Sequence, residues 1–174
     1  MIKVVRPQRK TLLAVGEGKA EVAFLAHLRG LYCSKREGVN VTIRDAHGRG
    51  PENVVEHAAG IARTAAYDRR LCLLDTDITW TPKALKLAKK SRIDMVGSTP
   101  CLEGLLLRCL GQVPPQLSDH CKKQLRQITK EDMTERQHYE QHFSNTVLDA
   151  ARPQIPEIDR LIRCFEGLYG LSGR

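Results

Sequence analysis

Two apolar runs in this chain end in acidic residues. Leu12-Leu13-Ala14-Val15-Gly16 leads into Glu17, and Leu71-Cys72-Leu73-Leu74 leads into Asp75-Thr76-Asp77. Short apolar runs closed by turn residues read as buried strands. In open parallel sheets, ligands bind at the carboxyl ends of the strands. Carboxylates gathered there repel one another and lose hydration unless a cation neutralises them. The pattern therefore asks for a divalent metal. Oxygen-only donors suit Mg²⁺ or Mn²⁺ rather than Zn²⁺, and the chemistry such ions serve at a phosphodiester is hydrolysis.

The neighbouring residues extend this reading. Glu17-Gly18-Lys19-Ala20-Glu21 leaves the first strand and opens a helix, with the two glutamates about one turn apart. Asp75 and Asp77 occupy alternate positions, so extended backbone would turn both to one side. Glu103 falls in the first turn of the helix after a fourth strand, at the same sheet edge. It is a candidate outer metal ligand or general base, or simply a complement to the helix dipole. Lys19, between two candidate ligands, is placed to meet charge developing on a phosphate.

The elements that must position these residues alternate strand and helix. Strands are expected at 12–16, from Val41 through Ile43 to Ala46, at 71–75 and at 92–97. Helices are expected at 18–32, at about 52–67, after Thr81-Pro82 and after Thr99-Pro100. The two Thr-Pro pairs join a capping hydroxyl to a proline preorganised for the first helical position. Such alternation marks an α/β, doubly wound parallel sheet. A loop is expected at 35–40, and Leu85 and Leu87 offer apolar contact on the third helix. Beyond Gly111 the pattern turns helical or irregular. The chain thus divides into a core of about 11–111 and a helical extension of about 112–174 within one domain. Ile158, Leu161, Ile162, Phe165 and Leu168 form an apolar stripe over 157–169.

Composition narrows the class. The 174 residues carry a net charge of +8, which favours polyanionic partners, above all nucleic acid. Aromatic content of 5% gives little material for a base-stacking platform, so phosphate contacts should dominate. Lys122, Lys123, Arg126 and Lys130 repeat at helical spacing as one basic face, and Arg44, Arg49, Arg69 and Arg70 add charge near the sheet. No apolar stretch reaches membrane-spanning length, and the basic start around Lys3 and Arg6 lacks a signal-peptide core. The six cysteines form no Cys-x-x-Cys pair. A cytoplasmic protein without structural disulfides is expected.

Taken together, Glu17-Gly18-Lys19-Ala20-Glu21, His47-Gly48-Arg49-Gly50-Pro51, Asp75-Thr76-Asp77 and Ser98-Thr99-Pro100-Cys101-Leu102-Glu103 resemble the RloB-like family of Toprim proteins. The resemblance spans most of the chain and extends weakly to Arg152-Pro153. It implies a Toprim fold of about four parallel strands flanked by helices, with Mg²⁺ held by Glu17 and the Asp75/Asp77 pair. Glu21 matches the second acidic position of the Glu-Gly-x-x-Glu variant. The resemblance further implies an antiphage nuclease, related to the overcoming-lysogenisation-defect type, that works beside an ABC-type ATPase. The chain departs from the family pattern at Gly104, where an aromatic is common, and around Arg108, where a histidine is frequent.

Other constellations compete. Asp75-Thr76-Asp77-Ile78-Thr79 also satisfies the Asp-x-Asp-x-Thr motif of haloacid-dehalogenase-like phosphatases, with Thr99, Lys122 and Glu131-Asp132 as possible later motifs. A non-catalytic Toprim module, regulating or targeting an ATPase, is the remaining alternative. Gly16-Glu17-Gly18 lacks the third glycine and the Gly-Lys-Ser/Thr ending of a nucleotide cradle. His138 and His142 stand four apart, as zinc ligands do on a helix, but have no coherent set of further ligands.

Overall fold

Four strands form one sheet: β1 (Thr11–Gly16), β2 (Asn40–Asp45), β3 (Arg69–Asp75) and β4 (Asp94–Ser98). Their order is β2-β1-β3-β4, and every neighbouring pair is parallel. These come from a computed structural model that describes residues 9–33 and 38–168. Lys3, Arg6, residues 35–37 of the expected loop and the last residues of the extension, 169–174, lie outside the described residues.

Side-chain alternation explains why β1 and β3 read as unbroken apolar runs. Leu12, Ala14, Leu71 and Leu73 enter one core cluster, while Leu13, Val15, Cys72 and Leu74 enter the other. A parallel strand covered on both faces has no solvated side to carry polar residues. The second face is covered by α2 (Gly50–Thr64) and α3 (Pro82–Lys90). The first is covered by α1 (Lys19–Tyr32), α4 (Leu102–Cys109) and the C-terminal helices. The result is the α/β, Rossmann-like arrangement expected from the sequence.

The extension folds as α5 (Ser118–Thr129), α6 (Arg136–Glu140), α7 (Asn145–Ala151) and α8 (Pro156–Phe165). Tyr139, Phe143, Ile158, Leu161 and Phe165 are buried in the same cluster as Phe24 and Leu105, so the extension and the sheet share a core. The Tyr139 ring lies 5.5 Å from Phe24, 5.7 Å from His27 and 5.8 Å from Phe143, centroid to centroid.

Several boundaries differ from expectation. β4 begins at Asp94 rather than residue 92, and α2 spans Gly50–Thr64 rather than about 52–67. The apolar stripe of α8 stops at Phe165, because Gly167 takes a left-handed conformation (φ 73°) and leaves Leu168 half exposed. On α3 the inward residues are Ala84 and Ala88, and Leu85 is left exposed. Thr81 caps α3 as expected, its Oγ1 accepting from the Ala84 N–H at 3.1 Å. Thr99 does not repeat that role. Cys101 is the N-cap of α4, and the first-turn donor Leu102 N–H goes to Asp75 Oδ1 instead.

Candidate active site

The carboxyl ends of β1 and β3 open into a cavity of about 450 Å³. Its floor comes from the starts of α1 and α4, one wall from α5, and its far rim from residues 131–134. Glu17, Glu21, Asp75 and Glu103 place four carboxylates on its floor. Lys19, Lys122 and Arg126 line it too, as do Glu131 and Asp132.

Local structure fixes the acidic floor. A Cβ on Gly16 would lie 2.8 Å from Glu21 Cβ and 2.9 Å from Val22 N, so only glycine lets α1 start this close to the end of β1. That approach buries Glu21 near Glu17, with 7% of its surface exposed. Glu21 Oε2 accepts from the Gly18 N–H at 2.9 Å, the returning half of a capping box whose forward half glycine cannot make. The Asp75 N–H donates to Glu17 Oε2 at 3.4 Å, a long contact. Asp75 Oδ1 accepts from Leu102 N–H at 2.9 Å, tying the end of β3 to the start of α4 and bringing Glu103 alongside. On the other flank, Gly48 N–H donates to the Glu17 carbonyl at 2.7 Å and Asn53 Nδ2 holds the Gly48 carbonyl at 2.8 Å.

This crowding perturbs the acids. Burial, reinforced by Glu21, Glu103, Glu17 and Asp77, pushes the Asp75 carboxyl up to about 8. Burial also raises Glu21, against its hydrogen bonds and together with Glu103 and Glu17. Glu17 is raised by burial and the Asp77 charge, partly offset by the Asp75 N–H. At Lys122, partial burial pulls the ammonium down, but Glu103, Cys101, Asp75 and Asp119 outweigh it and the net shift is upward.

Not every expected residue arrives. β3 ends at Asp75, and the N–H groups of Thr76 and Asp77 both turn to the Pro100 carbonyl at 3.1 and 3.0 Å. The extended alternation expected for Asp75 and Asp77 is broken there. Asp77 is exposed, lies outside the cavity lining and accepts from Ser118 Oγ at 2.6 Å. Arg49 is exposed at the N-cap of α2 in a left-handed conformation (φ 69°), next to Gly48 but not in the lining. Lys123 is exposed on α5, also outside the lining. His138 and His142 do not pair: His138 Nδ1 contacts the Asp132 carbonyl, and His142 follows the end of α6.

Sequence reasoning missed the role of the 131–134 segment as a rim. Tyr139 holds it, its hydroxyl placed 2.9 Å from the Met133 carbonyl and 3.1 Å from the Ala20 carbonyl. A lone buried tyrosine with no local pattern gave no signal of that contact. All six cysteines are free, and burial pushes the thiols of Cys72, Cys101 and Cys109 up to about 12, well away from a reactive thiolate.

Among the described residues, no three His, Cys, Asp or Glu side chains stand as a ready-made metal cage. The donor chemistry nonetheless fits Mg²⁺. The oxygen donors gathered on the floor are carboxylates, and their mutual repulsion is what a cation relieves. Mg²⁺ also commonly takes one or two carboxylates and completes its shell with water and substrate phosphate. Asp75 and Glu17 would hold it, with Glu21 and Glu103 beside them. Among the described residues no helix is long and apolar enough to cross a membrane. No protein-family model, curated protein or solved structure matches the chain.

Proposed function

We propose that this chain is a Toprim-like, Mg²⁺- or Mn²⁺-dependent hydrolase of nucleic-acid phosphodiesters. The observation that carries the reading is that a single cavity is lined both by clustered carboxylates (Glu17, Glu21, Asp75, Glu103) and by cations (Lys19, Lys122, Arg126). Acids alone would repel a phosphate, and cations alone would bind it without activating anything. Together they suit a phosphate that meets a metal. The RloB-like resemblance supports the antiphage setting, the ABC-type ATPase partner and cytoplasmic residence, and those parts rest on it alone.

In this mechanism Lys122 and Arg126, from α5, draw the backbone phosphate into the cavity. Lys19, at the start of α1, meets charge building on the phosphoryl oxygens. The Glu103 carboxylate takes the proton of the attacking water. Asp75 and Glu17 would hold a divalent cation, and Glu21 braces the Gly18 turn after β1. A divalent ion bound there would supply Lewis acidity toward the phosphate oxygens and lower the pKa of water.

A second reading has its own observation. Lys122, Glu131 and Asp132, positions a haloacid-dehalogenase-like phosphatase would use, line the same cavity as Asp75. That reading also needs Asp77 as acid/base, and Asp77 is turned to Ser118 instead. Thr99, its second motif, is exposed and bonded to Thr76 Oγ1 at 3.0 Å.

The test is cleavage of end-labelled single-stranded DNA, duplex DNA and RNA by the purified chain with Mg²⁺ or Mn²⁺, beside Asp75→Asn. Metal-dependent cleavage lost in Asp75→Asn supports the nuclease. Turnover of p-nitrophenyl phosphate without nucleic-acid cleavage transfers the site to the phosphatase reading. No turnover of either, with intact binding of nucleic acid or ATPase, leaves the non-catalytic module.

A further inference from the structure

At the opposite edge of the sheet, a second cavity of about 460 Å³ opens between α2, α3 and the start of β3. Its charged lining is cationic: Arg63 from the last turn of α2, Arg70 from β3 and Lys90 from the last turn of α3, with Ser91 beside them. No acidic residue lines it. Arg63, Arg70 and Lys90 make no ion pair among the described residues. Ala59, Ala62 and Leu87 supply an apolar wall.

Arg70 is the informative residue. Its place on β3 sends it to the α2/α3 face, the face of Cys72 and Leu74. Its Nη1 donates to the Ser91 carbonyl at 2.8 Å, its one hydrogen bond among the described residues. Its Nε is buried with no partner. A guanidinium carries five N–H donors in a planar fork suited to an oxyanion, so this one is anchored but mostly unused. Arg63 and Lys90 do complement the C-terminal dipoles of their helices. That role explains neither the open cavity nor the idle donors of Arg70.

We propose that this cavity is a second ligand site, taking a small phosphate monoester with an apolar body, such as a nucleoside monophosphate. The phosphate meets Arg70, Arg63 and Lys90, and the apolar body lies against Ala59, Ala62 and Leu87. Arg70 and Asp75 stand five strand steps apart on β3, roughly 16 Å at strand rise. The two sites are therefore distinct, and this one does not depend on the nuclease reading.

The experiment is calorimetric titration of the full chain with AMP and with inorganic phosphate, in phosphate-free buffer. Two double variants are compared, Arg63→Gln/Lys90→Gln and Lys122→Gln/Arg126→Gln, each shown to be folded by its thermal transition. The exposed positions Arg63 and Lys90 are chosen because Arg70 variants risk misfolding. The expected result is saturable AMP binding, tighter than inorganic phosphate, weakened at least tenfold by Arg63→Gln/Lys90→Gln and far less by Lys122→Gln/Arg126→Gln, which alters only the first cavity. Absence of saturable binding, loss only in Lys122→Gln/Arg126→Gln, or an affinity unaffected by Arg63→Gln/Lys90→Gln would overturn the site. Equal affinity for AMP and inorganic phosphate would overturn the apolar half of the ligand.

Discussion

Replacing Asp75 with asparagine should make the metal-free protein more stable, not less. The substitution keeps an oxygen to accept the Leu102 N–H now held at 2.9 Å, so the brace between β3 and α4 survives. What it removes is a carboxylate that burial and four acidic neighbours disfavour. The folded-state value near 8 lies above the ordinary 3.8, so the native state binds the extra proton. The contribution is therefore fully present below about pH 4 and is lost progressively as pH rises through 8. Each pH unit crossed is worth about 1.4 kcal/mol, which sets a ceiling of about 4 kcal/mol at pH 7. Asp75 is only part-buried, and solvent screening brings the expected gain to about 2 kcal/mol. For a chain of this length that is about 4–8 °C in Tm. The assay is thermal unfolding of both proteins in chelator from pH 4.5 to 8.5, then with Mg²⁺ or Mn²⁺. The gap should widen with pH in chelator, and metal should raise the wild-type Tm more than that of Asp75→Asn. A variant less stable than wild type at pH 8 in chelator, or an identical metal response, would refute the crowded-carboxylate argument.

Other perturbations probe the same architecture. Lys122→Gln should weaken nucleic-acid binding and shallow the slope of log K against log salt by about 0.7–0.9, read by fluorescence anisotropy across a salt series. Lys123→Gln, outside the cavity, should change that slope less. Gly104→Ala places a Cβ 2.7 Å from Pro100 Cδ and 2.8 Å from the Thr99 carbonyl. It should cost about 1–3 kcal/mol in a denaturant titration, and a neutral result would show that the 99–100 backbone yields. Tyr139→Phe leaves the Met133 and Ala20 carbonyls without their shared donor. It should cost about 1–3 kcal/mol, with faster amide exchange in the 131–134 rim measured by mass spectrometry.

Gly104 also links sequence to structure. Glycine is needed there because the Thr99-Pro100 backbone already fills the space that a side chain would take. Thr99-Pro100 repeats the Thr81-Pro82 pattern in sequence, yet Thr81 caps its helix and Thr99 does not. The difference is Asp75, a residue from another element that took the α4 donor. Local pattern cannot register a competitor that arrives through the fold.

The sequence by itself determined the alternation of strands and helices, the two-sided burial of β1 and β3, and the gathering of Glu17, Asp75 and Glu103 at one sheet edge. Each of these follows from periodicity and chain order, which are local. Tertiary structure alone decided that Asp77 turns away to Ser118, that Glu21 is buried beside Glu17, and that the basic face of α5 and the 131–134 rim close the cavity. Those outcomes depend on where a strand stops and how a helical tail docks on a shared core, and both are set by contacts between residues far apart in the chain.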